Sequence, residues 1–162
     1  MKWVTRERPK IDRVACPWLV ARFIDADAEF LFVPPEEVAG VARETGAIPY
    51  DVDGVELSHD GPLCSFDAFL AKYGLHDPAL ADLASIVRGA DTDRLDLTPQ
   101  CAGLLAISLG LSRLFHDDHE QLQHGFVIYD ALYAWLREAR LERHDWNPRG
   151  AGGGTRDVQM SS

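Results

Sequence analysis

The chain has 162 residues, 46% of them hydrophobic, and carries 26 acidic against 16 basic side chains for a formal net charge of -10. That length supports one domain with one core, and the acidic balance argues against the broad basic face that direct nucleic-acid binding needs. The most apolar run, Cys101 to Leu111, is too short to cross a bilayer, the opening does not resemble a signal peptide, and the 3 cysteines are far apart with no CxxC pair. The expectation is a cytoplasmic protein with no membrane segment and no disulfide framework.

In chain order, the alternating charges of Arg6, Glu7, Arg8 and Lys10 read as a solvated edge. A helix is predicted from Cys16 to Asp25, with Pro17 at its first position, where the missing N–H has no partner to lose. Glu29 to Val33 reads as a short strand stopped by Pro34-Pro35. Glu36 and Glu37 then favour a helix running to about Glu44 and closed by Gly46. A hairpin is predicted over Ile48 to Leu57, turning at Asp53-Gly54.

Leu63 to Tyr73 has helical spacing and stops at Gly74. Asp77-Pro78 opens another helix, ending near Gly89-Ala90, and Thr98-Pro99 repeats the device before a strongly apolar helix expected to be the buried centre. The last helix is predicted from Asp117 to Arg140. The fold class is therefore α+β and mainly helical: a single domain over 1–146, with a small sheet in its N-terminal half and a bundle-like core. Residues 147–162 are expected to form a flexible, glycine-rich tail.

Two groups of residues carry chemistry. The first is His116-Asp117-Asp118-His119-Glu120, with His124 beyond it. Asp117, Glu120 and His124, spaced i, i+3 and i+7, share a helical face. The spacing is not HExxH, so a metal site needs ligands from elsewhere. His59, after a short extended piece, and Asp91, at a helix end, are the candidates. The set His59, Asp91, Glu120 and His124 would suit a divalent transition metal such as iron, manganese or zinc. The competing reading of the run is a solvated first helical turn favoured by the helix dipole.

The second group is Arg13, Cys16 and Arg22. At a helix start Cys16 would have a lowered pKa, and the two arginines would steer an anion toward it. The alternative for Cys16 is a small packed core residue.

The blocks Lys10-Ile11-Asp12-Arg13-Val14-Ala15-Cys16-Pro17-Trp18-Leu19, Ser58-His59 with Leu63-Cys64-Ser65-Phe66-Asp67, Ile86-Val87-Arg88-Gly89-Ala90-Asp91, Asp117-Asp118-His119-Glu120 with His124-Gly125, and Tyr129-Asp130-Ala131-Leu132-Tyr133-Ala134-Trp135 carry a family resemblance. Together they resemble the ChrB C-terminal domain family of chromate-resistance proteins. The resemblance implies His59, Asp91, Glu120 and His124 as a shared polar centre, with Arg13 and Cys16 as its anion-side neighbours.

Taken with the imidazole and carboxylate residues, the resemblance points to a metal-dependent domain that senses or processes an oxyanion such as chromate. The alternative is a non-enzymatic regulatory or protein-interaction module that works through a homo-oligomer or beside a DNA-binding regulator. The residues alone do not choose between catalysis and sensing.

Overall fold

A computed structural model describes residues 1–145. The tail expected over 147–162 lies outside the described residues. The architecture is mixed α+β, with a small parallel sheet beside a helical core. Three strands, β1 (Lys2–Arg6), β2 (Glu29–Val33) and β3 (Ile48–Pro49), lie in the order β2-β1-β3. Both pairings are parallel, with Lys2 opposite Glu29 and Trp3 opposite Ile48. Parallel neighbours need crossovers. These are α1 (Asp12–Leu19) between β1 and β2, and α2 (Val38–Thr45) between β2 and β3.

The opening segment Lys2–Arg6 is thus the central strand, an element not expected from sequence, while Glu7 and Lys10 beyond it are exposed as a solvated edge would be. Trp3, Val4 and Thr5 are fully buried, and these are residue types that suit a strand. Their alternation feeds two cores. Trp3 packs into the main helical core, while Val4 turns to a smaller cluster with Val38 and Ala47 beneath α2. The predicted strand Glu29–Val33 and the left-handed Gly46 closing α2 are both present.

The remaining helices are α3 (Ser65–Tyr73), α4 (Pro78–Asp91), α5 (Cys101–Leu114) and α6 (Asp118–Ala134). They stack with α1 around Trp18, Phe66, Phe69, Leu83 and Tyr129, all essentially inaccessible. Burying each such side chain contributes roughly 1.5–3 kcal/mol. Asp77 caps α4 by accepting from the Ala79 N–H at 2.8 Å, and Asp117 caps α6 by accepting from the Glu120 N–H at 2.8 Å.

Three local expectations are corrected. First, α1 starts at Asp12, and Pro17 lies inside it. Ile11 makes the early start possible by taking φ 45°, a costly conformation for a β-branched residue. Proline removes a helical donor and crowds the preceding turn. The Val20 N–H is shared between the Cys16 and Pro17 carbonyls, and the chain then widens into one π turn, Val20–Ile24.

Second, the 48–57 segment is not a hairpin. β3 pairs with β1, and the Asp51 N–H donates to the Leu57 carbonyl at 2.8 Å to close a loop. Third, α5 is not the buried centre. It turns Cys101, Leu104, Ser108 and Ser112 inward and leaves Ile107, Leu109 and Leu114 exposed. The central position belongs to α1, where seven of eight residues are buried.

Candidate metal centre

In this sheet β1 is the switch point. The chain leaves its carboxyl end toward α1 and β2 on one side, and β3 arrives on the other. Crevices at such carboxyl ends are where open parallel sheets place ligands. Arg6 ends β1, Asp12 begins α1, and Asp51 follows β3. The 52–59 loop adds His59, and Asp91 is the last residue of α4.

Asp12 is the structural pivot. Its carboxylate accepts from the Ser65 N–H at 2.7 Å and the Phe66 N–H at 3.1 Å. Those are the first N–H groups of α3, which have no partner within the helix. It also accepts from the Cys16 thiol at 3.3 Å, one helical turn on.

Asp51 is held more tightly still. Its backbone takes φ 51°, and its carboxylate accepts from Ser65 Oγ at 2.8 Å and from the Arg6 guanidinium at 3.0 Å, with Arg13 Nε at 3.4 Å. Arg13 in turn donates to the Arg6 and Glu7 carbonyls. Arg13 is therefore committed to fixing Asp51 and the end of β1.

His59 Nε2 lies 3.0 Å from Asp91 Oδ2, 3.3 Å from Asp51 Oδ1 and 3.7 Å from Asp12 Oδ2. Asp12, His59 and Asp91 each offer a ligand atom, all within 4.8 Å of one another. The Asp12 side chain is 1% exposed and that of His59 40%, so the group is anchored inside and reachable from one side.

Burial, then the charges of Asp91 and Asp51, push the Asp12 carboxyl well above the usual carboxylate range. Burial and Asp51 likewise raise Asp91, while His59 pulls it back. Carboxylates that crowd one another out of water are strained by their own charge. A divalent cation among them would relieve that repulsion and satisfy the remaining lone pairs. One imidazole and two carboxylates suit iron, manganese or zinc and leave coordination positions open.

Of the seven residues expected from sequence, His59 and Asp91 come together here, and Arg13 adjoins them through Asp51. Cys16 touches Asp12 but is fully buried in the middle of α1. Burial, followed by the charge of Asp12, raises its thiol pKa, the reverse of the expected helix-start effect. It fits the packed-residue alternative.

Arg22 is elsewhere, bonded through Nε and Nη2 to Asp130 at 3.0 and 2.9 Å. Glu120 and His124 stand outside the group. α6 turns Gln121, Leu122, Gly125 and Tyr129 inward, so Glu120 and His124 face solvent, His124 stacked on Phe115 at 4.1 Å. Sequence reasoning missed Asp12, Asp51, Arg6 and Ser65. Asp12 had a signal, since it sits in the conspicuous Lys10–Leu19 block. Asp51 had none short of the parallel pairing that brings it to the end of β1.

No helix among the described residues is long and apolar enough to cross a membrane. The family described as ChrB, C-terminal domain, matches residues 3–136. Protein ChrB of Cupriavidus metallidurans is 35% identical over 141 residues, covering 86% of this chain and 42% of that protein. The chain thus spans less than half the length of that relative. No solved structure matches.

Proposed function

The chain belongs to the ChrB C-terminal domain family, and on that premise we propose that it is a metal-dependent domain of chromate resistance that responds to an oxyanion such as chromate. The observation that carries this reading is the convergence of Asp12, His59 and Asp91 from three separate segments. These residues would hold an iron, manganese or zinc ion, which would supply a Lewis-acidic position for an oxyanion. Asp51, fixed by Arg6, Arg13 and Ser65, would set the charge around it and orient His59. The fully buried Cys16 would support Asp12 and not meet the anion. We place the domain in the cytoplasm, working as a homo-oligomer or beside a regulatory partner.

Protein purified without a histidine tag after metal-replete expression should hold one of these metals near one equivalent. Metal stripping should lower its melting temperature, and readdition should restore it. Molybdate, a tetrahedral oxyanion that spares thiols, should bind the loaded form and not the stripped one. Absence of metal together with no thermal response to added Fe(II), Mn(II) or Zn(II) would overturn the reading.

A second reading, a non-enzymatic regulatory module, draws on a different observation. Because the aligned part is 42% of the relative, the domain acts there alongside other sequence. Metal and molybdate binding without turnover of chromate would favour it.

A further inference from the structure

We infer that the cavity between α2 and the 52–59 loop is a binding pocket for a small organic acid: an anionic group carried on an apolar body. The inference deepens the metal reading and shares one residue with it, because His59 lines both the cavity and the centre.

The cavity has a volume of about 700 Å³ and opens to solvent on one side. Sites for small organic ligands run roughly 300–1,000 Å³ and are mostly apolar with a few placed polar groups. Its apolar lining comes from Val38 and Ala42 of α2 and from Val52 and Val55 of the loop. A bare tetrahedral oxyanion would occupy one corner and leave these walls wet. An apolar body would displace that water.

Two arginines line the cavity. Arg6 lies in the wall, and its Nε is buried without a hydrogen-bond partner. Arg43 lines the same cavity, is exposed, and has no carboxylate within ion-pair distance among the described residues. Two acids also line it. Asp51 is shared between Arg6 and Arg13, and Asp53 is exposed on the loop. Arg6 and Asp51 thus offset each other inside the protein, and Arg43 is left to meet the ligand.

The test uses the full chain with its metal content measured on the same sample, titrated with phenyl phosphate and phenylacetate and followed by amide NMR shifts and calorimetry. At least one acid should bind about tenfold or more tighter than sulfate, benzyl alcohol or benzylamine, with shifts centred on Val38, Ala42 and Val52. Arg43→Gln should weaken binding about fivefold. Ala39→Trp, an exposed position on the cavity wall, should block it with the melting temperature unchanged.

Sulfate or benzylamine binding as tightly, shifts elsewhere, or indifference to Ala39→Trp would overturn the pocket. Metal present with no organic acid bound would overturn the pocket and leave the metal centre standing. Organic acid bound without metal would support the pocket while the metal reading falls.

Discussion

Two regions of this molecule carry the same residue types and put them to opposite uses. The 116–124 run is dense in histidine and acid along the sequence, yet His116, Asp117, His119, Glu120 and His124 are all exposed. The centre at the end of β1 draws Asp12, Asp51, His59 and Asp91 from segments far apart, and buries all but the histidine deeply or partly. Density along a helix spreads side chains around its circumference. Convergence comes from topology, from strands whose carboxyl ends share an edge. The difference teaches that most of the helical run faces solvent at a helix start, while the switch point is where acids and imidazole are drawn together.

The largest expected effect tests that contrast directly. His59→Ala and Asp91→Asn should each weaken metal binding beyond the roughly 10–100-fold that loss of an outer partner costs. Glu120→Gln and His124→Ala should leave affinity within twofold of wild type, about the scatter of such titrations. Calorimetric titration with Mn(II) and Zn(II) reads both. A large loss in His124→Ala would collapse the comparison.

Next in size is the structural role of Asp12. Asp12→Ala leaves the Ser65 and Phe66 N–H groups unpaired in the interior, at a cost of about 2–4 kcal/mol in the metal-free protein. Glu120→Ala should stay within about 0.5 kcal/mol. Urea denaturation of both variants checks this. Asp12→Asn should fall between them, since it keeps one acceptor and removes a charge crowded by Asp91 and Asp51.

How much could be read from the sequence follows the same divide. The capped helices were legible because Asp77-Pro78, Asp117, Gly46 and Gly74 act through their immediate neighbours. The β2 strand was legible for the same local reason. The central strand was not, because Lys2 and Arg6 flank only three buried residues and their charge hides the pattern. The cluster at the end of β1 was half legible as geometry. His59 and Asp91 could be named, whereas Asp51 required knowing that β3 pairs with β1 and not with its own loop. Glu120 and His124 stand apart from that cluster because helical spacing says which residues share a face but not which face turns inward.

Glycines in two of the resemblance blocks have packing reasons, and these give a prediction of intermediate size. A Cβ on Gly89 would meet Cys101 Sγ at 2.3 Å and the Arg94 carbonyl at 2.7 Å. The backbone contact cannot step aside, so Gly89→Ala should destabilise by about 1–3 kcal/mol despite the helix propensity it gains. At Gly125 the obstacle is Val14 Cγ1 at 2.5 Å. Val14 is buried and stiff at χ1, so its Cγ1 yields only if α1 moves against α6. Gly125→Ala should also destabilise, somewhat less than Gly89→Ala because no backbone atom stands in the way. In the block His124-Gly125 it is thus the glycine, letting α6 approach α1, that the fold uses. Thermal melts of the two variants rank them, and a milder Gly89→Ala would contradict the assignment.

The smallest effect concerns the acids that α6 does engage. Asp130 accepts from Arg22 and from Trp18 Nε1, the latter at 2.7 Å, and Arg22 holds its carboxyl below the usual range. Tyr133, also on α6, donates to Asp77, which lowers that carboxyl as well. These directions oppose those of Asp12 and Asp91, and they mark α6 as a clamp on α1 and α4. An acid with a depressed folded pKa stabilises fully above its unfolded value of about 3.9 and loses that contribution as pH falls through the folded value. Asp77→Asn keeps the helix cap and removes the titration. The wild-type minus Asp77→Asn difference in stability should therefore be flat above about pH 5 and shrink below about pH 4. Its size should be about 1 kcal/mol or less, because the site is partly solvated. Melts of the pair between those values measure it. A difference that instead grew on acidification would mean that Asp77 is ionised at a cost, and that α6 grips α4 through its apolar contacts alone.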